Sequence, residues 1–308
     1  MATEAEYRPF RQDMDAAARY LSIHPPLPRH LTTKFFTNML YLQHWMRYTE
    51  VGFLIHPSVH LPTPGLKVAD VACGTGIWLI ELAKQVPKDA QLEGFYISSA
   101  HFPPKDELPE NVKLGYMDMM QSVPENLLAQ YDIVHVRGVV LYVFNDDPSE
   151  LLANFMVLLK PGGYLCWDDL DLAAHNPKTS DPNVSHEIAD KIEEFGRMWF
   201  KTQGLPFSWL RSLDTTLTSH GLEALVPHSQ TVSNAGARPW TLMQPMANRH
   251  FFENDINTMC EAGKMPPGSP SAEEWREMSE GLIEECREGV RLLMDIVYIV
   301  GRKAVEQK

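Results

Sequence analysis

Short apolar runs alternate with amphipathic stretches through the middle of the chain, and this alternation is typical of an α/β fold. Strands that are separated by helices need crossover connections, which produce a mostly parallel sheet covered on both faces. We therefore predict a doubly wound sheet. Its predicted strands cover residues 67–72, 91–97, 112–116, 131–136 and 164–167, with helices over 77–85 and 148–159 and a turn at 160–163.

The two flanks of this core have helical patterns of their own. Ser271, with Glu274 three residues later, is a capping-box start for a helix that runs to residue 287. The stretches 222–232 and 292–300 are β-rich, and we expect them to close the sheet as an antiparallel edge hairpin. Further helices are predicted over 14–21, 33–51 and 184–202.

The chain is thereby predicted to have three consecutive parts. Residues 1–60 form an N-terminal helical cap, residues 61–175 form the sheet core, and residues 176–308 supply lid helices together with the terminal hairpin. The insertion at 235–289 is too long for a passive loop, so we expect it to cover the active site as a lid.

Charge limits the choice of partners. Lys and Arg number 27 against 40 Asp and Glu, which gives a formal net charge of −13. A surface this acidic repels phosphate backbones and anionic lipids, so we expect neither nucleic acid nor a membrane as a partner. The N-terminus lacks the apolar run of a signal peptide, which predicts a cytoplasmic protein. The cysteines and histidines lack metal-ligand spacing, so no metal site is predicted.

The most specific motif is a small-residue turn between the first predicted strand and the first helix that follows it. Residues 68–76 read Val-Ala-Asp-Val-Ala-Cys-Gly-Thr-Gly. Gly74 and Gly76 let the backbone approach a ligand closely and adopt dihedral angles that other residues avoid. The spacing is similar to a dinucleotide-binding loop, but Leu79 stands where the third glycine would be, so NAD is disfavoured.

These residues resemble the cofactor motif of the class I S-adenosylmethionine (SAM)-dependent methyltransferases, and the resemblance extends over about residues 68–172. It implies a Rossmann-like core that binds SAM. It also implies that Asp70 holds the methionine ammonium, while Ala72, Gly74 and Gly76 pass close to the methionyl and ribose groups.

The downstream segments follow the same family in the right order. Asp118-Met119 resembles the pair that hydrogen-bonds the adenine amine and packs on its ring. Residues 131–136 resemble the fourth strand of the family, and residues 158–164 resemble the turn before the fifth. Several ordered pieces over about a hundred residues are a stronger signal than one glycine loop.

Two further segments, 53–58 and 97–103, resemble the small-molecule methyltransferases of fungal natural-product pathways. The same scaffold is similar to methyltransferase-like pericyclases and to methyltransferase-like regulators of secondary metabolism. Fold likeness alone does not choose between these classes.

One position departs from the family pattern. The second strand normally ends in a carboxylate that accepts hydrogen bonds from both ribose hydroxyls, but Tyr96 occupies this position. A phenol cannot bind two hydroxyls side by side as an ionised carboxylate does, and losing one charged acceptor costs about 1.5 to 3 kcal/mol. Three outcomes are open: weaker SAM binding with activity kept, SAM kept as a non-reacting element, or loss of SAM.

Methyl transfer requires the protein to align the nucleophile and, where needed, to take a proton. Position at the carboxyl ends of the strands favours Arg137, Asp168 and Asp169 as site residues. His44 of the helical cap is a further candidate base. His135 is another, although its place inside a buried strand favours a structural role.

The rival mechanism is a pericyclic ring closure, which needs no base. It needs an apolar pocket and a donor that polarises a carbonyl. The residues 39–45 and 240–246 are rich in Met and aromatic side chains and could form its walls, with His44, Tyr48 or Arg137 as the donor.

The sequence thus favours a SAM-dependent methyltransferase that acts on a small, largely apolar metabolite at oxygen, nitrogen or carbon. A methyltransferase-like pericyclase, with SAM kept as a non-reacting cofactor or lost, is the alternative, and a methyltransferase-like regulator is the third hypothesis. The N-terminal helices are expected either to cap their own pocket or to exchange across a homodimer.

Overall fold

The computed structural model describes residues 29–61, 64–233, 236–241, 243, 244 and 265–305. The helix predicted over 14–21 and much of the predicted lid insertion lie outside these residues. Within them, no helix combines the length and the apolar character needed to cross a lipid bilayer.

Seven strands form one sheet in the order β3-β2-β1-β4-β5-β7-β6. The pairs β1–β2, β2–β3, β1–β4 and β4–β5 are parallel. The predicted doubly wound sheet is therefore confirmed. The strands are β1 (Lys67–Val71), β2 (Gln91–Tyr96), β3 (Val112–Tyr116), β4 (Tyr131–Arg137), β5 (Leu159–Lys178), β6 (Leu222–Thr231) and β7 (Arg291–Lys303).

The helices follow the predicted pattern closely. The helix predicted over 77–85 is shorter, because Lys84 and Gln85 donate their backbone N–H groups to carbonyls three residues back, which tightens and ends the helix. The helices are α1 (Arg29–Val51), α2 (Ile77–Leu82), α3 (Ser149–Leu158), α4 (Glu187–Thr202), α5 (Leu213–Ser219) and α6 (Ala272–Glu288).

The middle of the sheet is buried from solvent on both faces. Val68 and Ala69 of β1 are fully buried, as are Ile133 and Val134 of β4. A strand covered on both faces needs apolar side chains in both directions, which explains the continuous apolar runs in the sequence. The carboxyl ends of β1 and β4 lie side by side where the chain order reverses, which is the usual ligand crevice of such sheets.

The predicted turn at 160–163 is wrong, because these residues belong to β5. Tyr131 of β4 pairs with Leu159, but Ile133 pairs with Tyr164, so the extra residues of β5 bulge out of register. Gly162 has a φ of 80°. A Cβ on Gly163 would meet a backbone carbonyl oxygen at 3.0 Å. The two glycines therefore let one strand absorb the bend as a bulge.

The chain forms two compact units. The sheet unit contains His30–Leu170, Phe207–Gln230 and Ile296–Lys308, and the helical unit contains Asp171–Pro206 and Thr231–Asp295. The three-part division predicted from the sequence stays a prediction, since these units are assembled from segments that interleave along the chain. The lid role of the insertion also stays a prediction.

The helical unit is built on the contact between α4 and α6. The predicted capping box is present, with Ser271 and Glu274 bonded to each other's backbone N–H groups. A Cβ on Gly281 would lie 2.4 Å from the Ile188 side chain, so glycine lets the helices approach closely. The buried core of this unit consists of Ala189, Ile192, Phe195, Trp199, Trp275, Leu282, Val290 and Leu292.

The N-terminus of α4 is capped from another helix. His186, its N-cap residue, makes no side-chain cap. Instead, the buried carboxylate of Glu285 accepts hydrogen bonds from the backbone N–H groups of Ile188 at 3.0 Å and Ala189 at 2.9 Å. A carboxylate at this position satisfies orphan donors and complements the helix dipole.

Replacing this cap should destabilise the protein. We expect Glu285→Ala to lower the free energy of unfolding by about 1.5 to 3 kcal/mol, because two buried N–H groups lose a charged acceptor. Glu284→Ala is the matched control, since Glu284 forms an exposed pair with Arg287 that is worth less than about 1 kcal/mol. Thermal and urea unfolding would measure both variants, and equal effects would contradict the capping role.

Candidate cofactor and active site

The glycine loop has an unusual backbone. Ala72, Gly74 and Gly76 all have positive φ, at 62°, 57° and 75°. This region is sparsely populated by alanine, so Ala72 is held there by its surroundings. The N–H of Cys73 donates to the carbonyl of Phe95 on β2 at 3.0 Å, which ties the loop to the neighbouring strand.

Asp70 lies at the base of the loop and is paired with His135. The two residues are direct neighbours in the register of β1 and β4. His135 Nδ1 lies 2.7 Å from Asp70 Oδ1, and both side chains are buried. The imidazole lies flat on Trp78, with ring centroids 3.8 Å apart and an interplanar angle of 1°. The aromatic stack and the hydrogen bond together fix the orientation of the carboxylate.

Burial lowers the pKa of His135, and the nearby carboxylate of Asp70 partly offsets this effect. A neutral imidazole that faces a carboxylate through Nδ1 carries its proton there and donates it. His135 is therefore engaged in holding Asp70.

Helix α1 lies across the carboxyl ends of the strands. Leu40 is close to the loop, since a Cβ on Gly74 would lie 3.3 Å from its Cδ1 atom. One turn later, His44 Nδ1 lies 3.2 Å from Arg137 Nη2, at the end of β4. The next residue on this face is Arg47, whose Nε donates to Asp168 Oδ2 of β5 at 3.1 Å. Successive side chains of one helix face thus lie against the glycine loop, β4 and β5.

Arg47, Asp168 and Asp169 form a buried network. Arg47 also forms an ion pair with Asp168 through Nη2 and donates to the Asp169 carbonyl at 3.2 Å. Asp169 accepts hydrogen bonds from three N–H groups, those of Val139, Trp167 and its neighbour Leu170. Burial raises the pKa of Asp169 to about 6, while Arg47 and these donors oppose the rise.

Burial also lowers the pKa of Arg47, to about 9, with Arg137 acting in the same direction and Asp169 against it. Arg47 therefore keeps its proton at neutral pH. Its positive charge is matched by the direct ion pair with Asp168.

Tyr96 lies at the end of β2, as predicted, and is buried. The rings of Tyr96 and His101 pack edge to face, with their centroids 6.1 Å apart. Thr37 Oγ1 of α1 is hydrogen-bonded to Nδ1 of His101 at 2.9 Å. Burial raises the pKa of the Tyr96 phenol, and Tyr142 and Cys73 raise it further. The hydroxyl is thus a neutral group next to the loop.

Tyr142 interacts electrostatically with both Tyr96 and Asp118 of the predicted adenine pair. Burial raises the pKa of Tyr142 to about 12, and the charge of Asp118 adds to this effect. Asp118 Oδ1 accepts a hydrogen bond from the Met120 N–H at 2.9 Å, and the carbonyl of Met119 accepts one from Asn154 at 2.9 Å. The turn after β3 is therefore held in place from two sides.

The residues fit an adenosylmethionine cofactor. Gly74 and Gly94 have no room for a side chain, because a Cβ would lie 3.3 Å from Leu40 and 2.6 Å from Leu114, so the loop and β2 pack closely against their neighbours. Asp70 offers an anionic acceptor for an ammonium group, which suits the methionyl end of SAM. The cofactor-binding assignments made from the sequence, Asp70, Ala72, Gly74, Gly76, Tyr96, Asp118 and Met119, stay predictions that this arrangement accommodates.

Two of the residues that shape the site have no counterpart among the sequence-based candidates. Arg47 lies three residues after His44 on α1, so helical spacing from that candidate would have found it. Trp78 stacks on His135 from the start of α2, and no local pattern indicates this contact. Tyr48, a predicted catalytic residue, is half-buried, and its ring is parallel to that of His44 with centroids 6.5 Å apart.

Comparisons with known proteins show the family of this chain. A family model described as a methyltransferase domain matches residues 42–226, and the chain belongs to that family. Methyltransferase grgD of a Penicillium species is 29% identical over 244 residues, which cover 74% of this chain and 79% of grgD. N-methyltransferase tcpN of Claviceps purpurea is 33% identical over 115 residues, or 37% of this chain and 41% of tcpN.

Among solved structures, phosphoethanolamine N-methyltransferase 2 of Haemonchus contortus, in complex with phosphomonomethylethanolamine and S-adenosylhomocysteine, has a TM-score of 0.46 and 11% identity. The match covers 87% of this chain and 57% of that one. On the family match, the protein is a SAM-dependent methyltransferase, which confirms the family and the cofactor predicted from the sequence. The relatives grgD and tcpN are methyltransferases of fungi.

SAM supplies an electrophilic methyl group on a sulfonium. The protein contributes alignment and electrostatics. Asp70, fixed by His135, would hold the ammonium of the methionyl group, with the backbone of the glycine loop beside it. Helix α1 covers the strand ends and limits access of water to them.

The pairing of His135 with Asp70 should be measurable in cofactor binding. We expect His135→Phe, which keeps the stack on Trp78, to weaken S-adenosylhomocysteine binding about tenfold, because the ammonium acceptor loses its orientation. His135→Asn keeps a donor and should restore most of the affinity. Isothermal titration calorimetry would measure both variants.

5′-Methylthioadenosine, which lacks the ammonium, is the control ligand for these variants. Its affinity should not change in His135→Phe, and its binding also reports that the adenosyl site is folded. An equal loss for both ligands would show a general structural role for His135 instead.

The residue at position 96 should also affect how tightly the ribose of the cofactor is bound. We expect Tyr96→Asp to strengthen S-adenosylhomocysteine binding by roughly tenfold, because a carboxylate accepts hydrogen bonds from both ribose hydroxyls. Tyr96→Phe is the shape-matched control and should not strengthen binding. Calorimetry with wild type and both variants would test this, and weaker binding by a well-folded Tyr96→Asp protein would contradict it.

Proposed function

We propose that this methyltransferase acts on a nitrogen atom of a small, largely apolar metabolite. The proposal rests on the hydrogen bonds and ion pairs that the side chains at the carboxyl ends of the strands already make. Each candidate base in the described part of the chain is already committed to a partner inside the protein. A nucleophile that attacks with a neutral lone pair does not need such a base.

His44 and His135 are both unsuited to accept a proton. Arg137 donates to His44 Nδ1, so the remaining proton of a neutral imidazole is on Nε2 and neither nitrogen has a free lone pair. Burial lowers the pKa of His44 to about 3, and Arg137, His135 and Arg47 contribute in the same direction. Asp70 holds Nδ1 of His135, and burial lowers the pKa of His135 although Asp70 opposes this, so its other nitrogen is a weak base.

The two aspartates are also engaged. Asp168 is the counter-ion of the buried Arg47, and protonating it would leave that cation unpaired, which is costly. Asp169 is buried and accepts three N–H hydrogen bonds. In this proposal His44, Arg137 and Asp168, which the sequence suggested as catalytic residues, organise the site and do not transfer protons.

The chemistry of the acceptor follows from this. An alcohol is a weak nucleophile until a base removes its proton, and general-base catalysis is worth about 10² to 10⁴ in rate. An amine attacks through its lone pair and releases its proton to water afterwards. The printed names of several relatives, tcpN, verN of Clonostachys rogersoniana and sirN of Leptosphaeria maculans, are those of N-methyltransferases, which supports nitrogen as the acceptor.

The apolar, small-molecule character of the substrate is supported by charge and by relatives. A net charge of −13 disfavours nucleic acid as a substrate. The relatives grgD, tcpN, verN and sirN are methyltransferases of fungi. This agrees with the resemblance of segments 53–58 and 97–103 to small-molecule methyltransferases of fungal natural-product pathways.

Paired substrates would test the proposal. Purified protein and SAM would be incubated with apolar cyclic secondary amines and with the alcohols of the same skeleton. We expect methylated products from the amines only, identified by mass spectrometry and with the N-methyl group placed by NMR, because only the amine can react without a protein base.

Comparable methylation of the alcohols would contradict the nitrogen proposal. A product of the same mass as its substrate, formed without consumption of SAM, would support the pericyclase alternative. S-adenosylhomocysteine release, measured in the same reactions, separates these outcomes from simple inactivity of the preparation.

A further inference from the structure

We propose that Arg137 and His44 bind the α-carboxylate of the methionyl group of the cofactor, beside Asp70, which takes its ammonium. The inference deepens the proposed function: it rests on the SAM-dependent activity of the same site but not on the nature of the methyl acceptor. It assigns to cofactor binding two residues that sequence reasoning placed among the catalytic candidates.

The hydrogen bond between His44 and Arg137 fixes the tautomer of His44. A guanidinium has only donors, so at 3.2 Å from Arg137 Nη2 the Nδ1 atom of His44 must be the acceptor. The ring proton is then on Nε2. This Nε2 atom is buried and has no hydrogen-bond partner among the described residues. Buried donors without a partner are rare and costly, so an acceptor oxygen is expected here when the site is filled.

The charge of Arg137 also favours an anionic ligand at this place. Arg47 and Arg137 both lie at the strand ends, but they differ in their partners. Arg47 is paired with Asp168. Arg137 is only partly buried, and its one hydrogen bond in the described part of the chain goes to a neutral histidine. Burial lowers the pKa of Arg137, while Asp70 and Asp169 oppose this through space without forming an ion pair. Arg137 is therefore a cation with no carboxylate in direct contact among the described residues, and it lies next to an uncharged donor.

The positions of Asp70, His135 and Arg137 on β1 and β4 place their side chains on one face of the sheet. Asp70 and His135 are register neighbours on parallel strands, so their side chains lie on the same face of the sheet. Arg137 comes two residues after His135 on β4 and shares that face. An α-ammonium and an α-carboxylate are attached to one carbon atom, so their binding groups must adjoin. The anionic and cationic groups of this cluster match the two charges of an amino acid.

Three ligands separate the two halves of this site. S-adenosylhomocysteine has both charged groups, decarboxylated S-adenosylhomocysteine (S-adenosyl-3-thiopropylamine) keeps only the ammonium, and 5′-methylthioadenosine has neither. Calorimetry would compare the full-length wild type with Arg137→Met, His44→Asn and His44→Gln. Leu42→Ala, an exposed position on the same helix, is the control.

We expect Arg137→Met to weaken S-adenosylhomocysteine binding roughly ten- to a hundredfold, as for loss of a charged hydrogen bond. His44→Asn keeps the acceptor for Arg137 but lacks the Nε2 donor, and it should weaken binding about threefold to tenfold. His44→Gln carries a donor near the Nε2 position and should recover most of this loss. Decarboxylated S-adenosylhomocysteine and 5′-methylthioadenosine should bind all variants with unchanged affinity.

A second readout does not depend on affinity. Nitrogen-15 NMR of histidine-labelled wild type should show His44 protonated on Nε2 and not titrating between about pH 5 and 8, because burial and the facing Arg137, His135 and Arg47 hold its pKa low. Adding S-adenosylhomocysteine should shift the Nε2–H resonance, whereas 5′-methylthioadenosine should not.

Several results would overturn the proposal. These are unchanged S-adenosylhomocysteine affinity in Arg137→Met and His44→Asn, an equal loss for the decarboxylated ligand, or a His44 ring protonated on Nδ1. If wild type bound none of the ligands, the cofactor assignment itself would fall. If the variants bound S-adenosylhomocysteine normally but lost methyl transfer, the proposed function would stand and Arg137 and His44 would instead contact the methyl acceptor.

Discussion

The buried ion pair between Arg47 and Asp168 decides where the first helix lies. Breaking such a pair leaves an uncompensated charge in the interior, at a cost of about 3 to 5 kcal/mol. The pair therefore holds α1 against the end of β5, and the rest of that helix face follows from it. Leu40 reaches the glycine loop and His44 reaches Arg137 because Arg47 anchors the helix two turns away from Leu40.

The fold could be predicted from the sequence because its signals are local. Val68 to Val71 and Ile133 to Val136 are apolar runs with few polar interruptions, as strands covered on both faces must be. The glycine loop and the capping box at Ser271 are short motifs whose residues act on their own neighbours. The bulge in β5 was missed because Gly162 and Gly163 look like a turn until the register of the neighbouring strand is known.

The site was harder to predict because its partners are far apart in sequence. Arg47 and Asp168 are separated by 121 residues, and His44 and Arg137 by 93. The sequence identifies these side chains as candidates but does not say which are already paired. His44 looks like a base in the sequence, and only its contact with a guanidinium shows which nitrogen carries the proton. The cap that Glu285 makes for α4 could not be predicted from the sequence for the same reason.

Gly74 is subject to two independent constraints. Its φ of 57° disfavours any side chain on conformational grounds, and the Leu40 side chain fills the space into which a Cβ would point. Positions 40 and 74 are therefore coupled across 34 residues of sequence, an interval given by their numbers. Enlarging either one would separate the helix from the loop. The two positions should therefore covary among relatives that keep this helix, with bulk at one excluding bulk at the other.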